Sequence, residues 1–346
     1  MTRDPAPRRR VSLTDVAREA GVSAAAASFA LNGRSGVGEV VRARVKEAAA
    51  RLGYVPSTSA VALRTGRSGA VGLLIRNMRN PFFLDVIHGF DATCAAAGLG
   101  VVIGSADYSP AREAELVATF AARGVDGLAL APIGGGSAAA DWDGSTAKPL
   151  VLINGARHAP GIDASRVHVD GEQAVAQALA HLADLGHRRV AIVAAPRDRS
   201  ADDERVAAFH RISGERGLVP RVIESAMQHD AAVEALTRAL AEPAGTRPTA
   251  IVTSSDYLAT AVYSAADAAG LRMGVDVSVV GHDDLGTSRF LAPALTTIAV
   301  DRTALGAAAA RRLIERLDGG EAATTVVPTS LVARASTGPA PADGSA

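Results

Sequence analysis

Between Ala70 and about residue 300 the chain repeats one pattern: a short apolar run, a helical stretch, then another apolar run. The runs fall at residues 71–75, 100–104, 127–131, 149–153, 190–194, 250–253 and 278–281. A strand with one wet face alternates apolar and polar residues. These runs do not alternate, so both of their faces must be covered. Strands joined through helices pair in parallel, and the helices supply the cover. Two such series in one chain predict an α/β body of two doubly wound parallel-sheet lobes. Ligands in such folds lie at the carboxyl ends of the strands, here in a cleft between the lobes. Composition suits this packing: 48% of residues are hydrophobic but only 3% are aromatic, so small side chains let helices lie close on strands.

The segment ahead of this body is of another kind. Ser12 and Asp15 have the spacing of a capping box, which starts a helix over 13–20. Gly21 stops it, and Ser23 caps a second helix over 24–31 after a three-residue turn. A third helix over about 40–52 carries apolar residues at Val41, Val45, Ala48 and Leu52. Together these form a small all-α helix-turn-helix head, whose second helix enters the major groove of DNA. Charge agrees. The formal net charge is +0, yet residues 1–66 hold eleven Lys and Arg against five Asp and Glu, and residues 67–346 hold 25 against 31. A basic head on an acidic body points to a polyanion partner for the head alone.

Cys94 is the only cysteine, which excludes an intramolecular disulfide and fits a reducing compartment. The basic start, with Arg3 and Arg8-Arg9-Arg10, is not followed by an apolar signal segment, and no run reaches membrane-span length, so a cytoplasmic protein is expected. Gly134-Gly135-Gly136 follows a strand but lacks the order of a phosphate-binding loop. His181 and His187 lack a third ligand for a metal, and His187 reads as structural. The acid pairs Asp202-Asp203 and Asp283-Asp284 have no accompanying nucleophile and base, so neither catalysis nor a cofactor is expected.

Several stretches together resemble the lactose-repressor (LacI/GalR) family. They are Val11-Ser-Leu-Thr-Asp-Val-Ala-Arg-Glu-Ala-Gly-Val-Ser23, Leu31-Asn-Gly33, Leu52-Gly-Tyr-Val-Pro56 and Leu63-Arg-Thr-Gly-Arg-Ser68. Asn80-Pro-Phe-Phe83, Val125-Asp-Gly127, Val279-Val-Gly-His-Asp-Asp284 and Pro293-Ala-Leu-Thr-Thr-Ile298 extend the likeness through the body, from about residue 11 to 335. The resemblance implies a periplasmic-binding-protein-like body and a dimeric repressor of transcription, its grip on operator DNA set by a small molecule, a sugar or sugar derivative. A solute-binding protein of the same two-lobed fold is the alternative, which the basic head disfavours. Release of DNA on ligand binding is the expected direction.

The resemblance also assigns residues. DNA contacts fall to Ser23, Ala24, Ala25, Ser28, Phe29 and Asn32 in the head, and to Leu63 and Arg64 in a hinge helix over 57–68. Leu63 is implied to wedge into a central base step; an ordinary linker is the other reading of that segment. Effector contacts fall to Phe82, Asn154, Arg205, Ser255, Asp256 and Asp283. Arg205 offers a fork of donors, Asp283 accepts from hydroxyls, and an aromatic face covers a sugar ring. A simple Arg205–Asp283 pair across the cleft is the competing reading.

Some residues depart from the family's pattern. Ala24 and Ala25 replace base-reading polar residues: alanine can touch a thymine methyl but cannot form bidentate hydrogen bonds. Phe29 stands in place of an arginine, Gly38 in place of a capping serine, and Ser57 in place of an asparagine. The head therefore either reads DNA through apolar contacts, phosphates and shape, or has lost part of its grip. Ser255 replaces an asparagine before Asp256 and Val300 replaces a polar residue, which points to an effector smaller or less hydroxylated than a hexose.

The expected domains are a basic arm (1–10), the helix-turn-helix (11–56), the hinge (57–68), an N-terminal lobe (69–165 and 297–320), a C-terminal lobe (166–292 and 321–335) and a disordered tail (336–346). The tail carries no leucine heptad, so a dimer rather than a tail-built tetramer is expected, matching a two-fold operator.

Overall fold

The computed structural model describes residues 11–32, 35–54, 66–134, 137–155, 161–195, 203–226 and 228–342. The chain divides into two compact units, Met1–Ser68 and Gly69–Ala346.

The first unit holds three helices, α1 (Leu13–Glu19), α2 (Ala24–Leu31) and α3 (Glu39–Leu52). The expected capping box forms: Asp15 N donates to Ser12 Oγ at 3.3 Å and Ser12 N donates to Asp15 Oδ2 at 2.9 Å. Two donors that the first turn would orphan are thereby satisfied. Gly21 adopts φ +62°, a conformation that a β-carbon would strain, and it turns the chain into α2. Ser23 Oγ caps α2 by accepting from Ala26 N at 3.1 Å. The core between the helices comprises Val16, Ala17, Ala20, Ala27, Ala30, Val45, Ala48 and Ala49. Alanines dominate it, so the helix axes approach closely and the packing depends on methyl-sized contacts. Gly38 opens α3 without a side-chain cap. Arg51 on α3 pairs with Glu19 at the end of α1 at 3.1 Å.

The second unit begins with β1 (Ala70–Ile75), α4 (Phe82–Ala96), β2 (Gly100–Ser105), α5 (Pro110–Ala122), β3 (Leu128–Leu130), α6 (Ser137–Thr146), β4 (Leu150–Ile153) and β5 (Ser165–Val169). It continues with α7 (Gly171–Asp184), β6 (Arg189–Ala194), α8 (Asp203–Glu215), β7 (Val219–Glu224), α9 (His229–Leu240), β8 (Ala250–Thr253), α10 (Asp256–Ala268) and β9 (Ser278–Asp283). Then follow β10 (Thr296–Val300), α11 (Arg302–Leu317), β11 (Thr324–Val327) and β12 (Thr329–Val332). Two six-stranded sheets result, ordered β11-β5-β4-β3-β1-β2 and β12-β10-β9-β8-β6-β7. All pairings are parallel except that of β10 with β12.

The central strands bury both faces, as their unbroken apolar runs require. Along β1, Leu73 and Ile75 enter the core made with α4 and α11, and Leu74 enters the one made with α5 and α6. Along β6, Val190 and Ile192 pack with α7 and α8, while Ala191 and Val193 pack with α9 and α10. Gly89 on α4 and Gly306 on α11 let these helices touch at the backbone. A Cβ at Gly89 would collide with the Thr303 carbonyl, and one at Gly306 with the Val86 carbonyl. No helix among the described residues is long and apolar enough to cross a membrane.

The lobes exchange chain at points other than those the sequence suggested. β5 and β11 pair with each other at the edge of the first sheet, and β10 belongs to the second. The crossings therefore fall at 169–171, 300–302 and 327–329 rather than near 165, 297 and 320. β5 buries only alternate residues, so it presents no continuous apolar run and reads poorly as a strand.

The end of the chain differs as well. Residues 336–340, expected to be a disordered tail, form a strap across the second sheet. Ser336 is fully buried. Its N–H donates to the Ala294 carbonyl at 2.9 Å, its carbonyl accepts from Val279 N at 3.0 Å, and its Oγ donates to the Val279 carbonyl at 2.7 Å. Ala340 N donates to the Leu185 carbonyl at 2.8 Å. His187 anchors the strap from below. Its Nδ1 lies 2.9 Å from Thr249 Oγ1, and its Nε2 lies 3.0 Å from Ser278 Oγ and 3.1 Å from the Gly338 carbonyl. Small polar residues looked like coil in the sequence; buried partners make them structural.

Burial pushes the His187 imidazole down to about 4, against a smaller upward pull from its Gly338 contact. The native state then refuses a proton that the unfolded chain accepts, so this group removes stability as pH falls from about 6.5 to about 4. His187→Gln should destabilise the body at pH 7.5, and the gap to the parent should narrow by up to about 3 kcal/mol at pH 4.5. Urea unfolding at the two pH values measures it.

Candidate functional site

The carboxyl ends of both sheets open onto one cleft between the lobes. Arg76, Phe82, Asn154 and His168 contribute from the first lobe, and Arg205, Ser254, Ser255, His282 and Asp283 from the second. Five of the six expected effector residues thus line a single cleft. Asp256 does not.

On the first wall, Asn80 Oδ1 accepts from Phe82 N at 3.0 Å, which sets the turn that starts α4 and brings Phe82 to the cleft. Its ring meets that of Phe83 edge to face, with centroids 5.1 Å apart. Asn154 ends β4 at φ +47°. Its Oδ1 accepts from Val169 N at 2.9 Å, so this side chain zips β4 to β5 where the residue lines the cleft.

Arg76, which sequence reasoning passed over, braces this wall. Its Nε donates to the Pro132 carbonyl at 2.9 Å and its Nη2 to the Asn154 carbonyl at 2.6 Å. Behind it, the buried Glu113 accepts from Ile133 N at 2.8 Å. Burial pushes the Glu113 carboxyl up to about 7, opposed by its bond from Ile133 and by the Arg76 charge.

On the second wall, Arg205 Nη1 donates to the Ser254 carbonyl at 3.2 Å. Ser255 Oγ caps α10 by accepting from Leu258 N at 3.2 Å. Ser254 Oγ is buried at the cleft with no protein partner among the described residues. Asp283 closes β9 at φ +112°, a region that side chains rarely occupy. Its carboxylate lies 2.9 Å from His282 Nδ1.

Asp256 has another task. Its Oδ1 accepts from Thr297 Oγ1 at 2.5 Å, and its Oδ2 accepts from Leu285 N at 2.8 Å and Ser288 Oγ at 2.5 Å. Both oxygens are filled by protein, and the residue is 2% exposed. It staples the 285–288 turn and β10 to the start of α10. Burial, reinforced by the Asp283 charge, pushes its carboxyl up to about 6. Gly281 makes room for it, since a Cβ there would strike Asp256 Oδ1. The sequence could not separate the two aspartates because each stands at or just past the end of a strand; what separates them is that Asp283 lines the cleft and Asp256 does not.

Arg302, also absent from the sequence reading, stands in the second crossing. Its Nε and Nη2 donate to Asp85 Oδ2 on α4 at 2.9 and 2.7 Å. Its Nη1 donates to the carbonyls of Asp283 and Asp284. One guanidinium therefore ties the helix that carries Phe82 to the strand end that carries Asp283.

In the other unit, Ser23, Ala24, Ala25, Phe29 and Asn32 are exposed on α2, and Ser28 is partly so. Leu63 and Arg64 lie outside the described residues.

Arg302→Ala should lower the unfolding free energy of the body by about 1–3 kcal/mol, because largely buried carbonyls lose a charged donor. Asp85→Ala should cost less, since Asp85 is half exposed. Urea unfolding followed through the buried Trp142 measures both; equal losses would place the energy in the ion pair instead.

Comparison with known proteins agrees with this architecture. Residues 12–57 match the family described as bacterial regulatory proteins, lacI family, and residues 179–337 match the periplasmic binding protein-like domain. The HTH-type transcriptional regulator PtxS of Pseudomonas plecoglossicida is 31% identical over 322 residues, covering 91% of each chain. The HTH-type transcriptional repressor PurR of Photobacterium profundum is 29% identical over 317 residues, covering 88% of this chain and 92% of its own. A crystal structure of the lac repressor dimer bound to operator and the anti-inducer ONPF superposes with a TM-score of 0.83 at 26% identity, covering 95% of this chain and all of that one. The chain belongs to the lacI family of bacterial regulatory proteins and is a transcriptional regulator.

Proposed function

We propose that this protein is a dimeric, cytoplasmic repressor whose affinity for operator DNA is set by a sugar or sugar derivative bound between its lobes. The observation that carries the effector half is the meeting of Phe82, Asn154, Arg205, Ser255 and Asp283, contributed by both lobes, in one cleft. A ligand touching both walls favours the closed arrangement, and only such differential contact can shift a two-state protein. The chemistry suits hydroxyls. Asp283 accepts, Arg205 and the Asn154 amide donate, Ser254 Oγ can do either, and Phe82 offers an apolar face. Arg205 and Asp283 act on the effector, whereas Ser255 serves first as a helix cap. The operator half is supported by the capped α2 of the head and by the similarity to a repressor whose structure holds both operator and anti-inducer.

In this reading two heads occupy successive major grooves, and the hinge segments carrying Leu63 and Arg64 meet in the minor groove between them. Ligand closure moves the lobes and releases the heads. Thermal shift of the full-length protein against sugars, sugar acids and nucleosides identifies the effector; at a hundredfold excess over Kd a true ligand adds about 2.7 kcal/mol of stability. Arg205→Ala should abolish that shift while leaving the gel shift with the gene's own upstream DNA intact. Loss of both would make Arg205 structural. Operator affinity should fall with salt by about 0.9 log units per log unit for each phosphate neutralised; a flat response would sink the operator assignment.

A further inference from the structure

Resting on the operator-binding reading, the structure also indicates what α2 recognises. A helix entering the major groove meets base edges with its first turns. Base readers are commonly arginine, lysine, asparagine or glutamine, whose side chains reach donors and acceptors on the base edges. No charged side chain occurs in α2, whose sequence is Ala-Ala-Ala-Ala-Ser-Phe-Ala-Leu.

The polar groups on its exposed face are largely turned back on the helix itself. Ser23 Oγ caps the Ala26 N–H at 3.1 Å. The Asn32 amide donates to the Ser28 carbonyl at 2.7 Å and lies 3.4 Å from Ser28 Oγ. What the first turn presents outward is the pair of exposed methyl groups of Ala24 and Ala25. One turn further on, at the i+4 position from Ala25, stands Phe29, 39% exposed and on the same face. Ala27 and Ala30 are buried in the core, so the helix cannot roll to offer another face without emptying that core.

In the major groove the C5-methyl of thymine is the apolar group among the features that distinguish the four base pairs. We propose that the exposed face of α2 recognises thymine methyl groups through Ala24, Ala25 and Phe29, so that operator half-sites carry A·T pairs where this stripe meets base edges. Discrimination rests on burying methyls rather than on bidentate hydrogen bonds. It follows that 5-methylcytosine, with a methyl at the same ring position, substitutes in part for thymine.

The test uses full-length protein and a random duplex library. Selection recovers the preferred half-sites, which should show thymine opposite α2. The recovered duplex is then remade with deoxyuridine at those thymines. Each methyl lost should weaken binding about fourfold, the equivalent of ~0.8 kcal/mol per buried carbon. Replacing such a T·A pair with a pair containing 5-methylcytosine should bind more tightly than the same pair with cytosine. Ala25→Gln supplies a hydrogen-bonding amide and should abolish the deoxyuridine effect at its position. Selective binding that is indifferent to deoxyuridine, or half-sites with unmethylated G·C at these positions, overturns the inference and leaves operator binding standing. Recovery of no preferred sequence overturns both.

Discussion

In a parallel sheet each strand is followed by a helix that carries the chain back, so all carboxyl ends gather at one edge. That edge is where helices begin and loops are free to vary, so binding side chains collect there. Here two such edges face one another. The chain passes between the lobes at 169–171, 300–302 and 327–329, directly after the strand ends of β5, β10 and β11. Of these strand ends that of β5 also lines the cleft, through His168 and Val169, so cleft and crossing are linked there. Arg302 makes the linkage concrete, because it holds Asp85 of one lobe and the Asp283 carbonyl of the other with one guanidinium.

Beside the cleft, hydrogen bonds account for the place of one buried acid. A buried carboxylate is costly unless donors surround it. Asp256 has three, all from protein, and is complete as a staple. Asp283 lines the cleft at a strained backbone angle beside His282. Arg76 and Glu113 form a supporting layer: by fixing the Pro132, Ile133 and Asn154 backbone, they hold one wall of the cleft.

The head works with smaller means. Its core is mostly alanine, which permits close helix crossing and leaves little margin for substitution. The outward side of α2 is nearly as spare, with no charged side chain among its eight residues.

The order of apolar runs and turn residues was enough to specify the layered architecture, the capping box, the bounds of α2 and the positions of seven strands, although the run of β2, expected to be covered on both faces, lies at a sheet edge with Ile103 exposed. These signals are local: a strand covered on both faces or a capped helix shows its environment in its own few residues. Of the six residues that likeness to a known family named for the cleft, five line it, while Arg76 and His168 also line it without having been named. Tertiary structure alone decided the rest. β5 alternates buried and half-buried residues and the edge strand β7 is mostly exposed, so neither leaves an unbroken apolar run, and the strap at 336–340 is polar because its partners are polar groups from distant parts of the chain. Asp256 and Asp283 look equivalent in one dimension; the donors that fill Asp256 lie 29 to 41 residues away, and only the fold brings them together and sets Asp283 at the cleft.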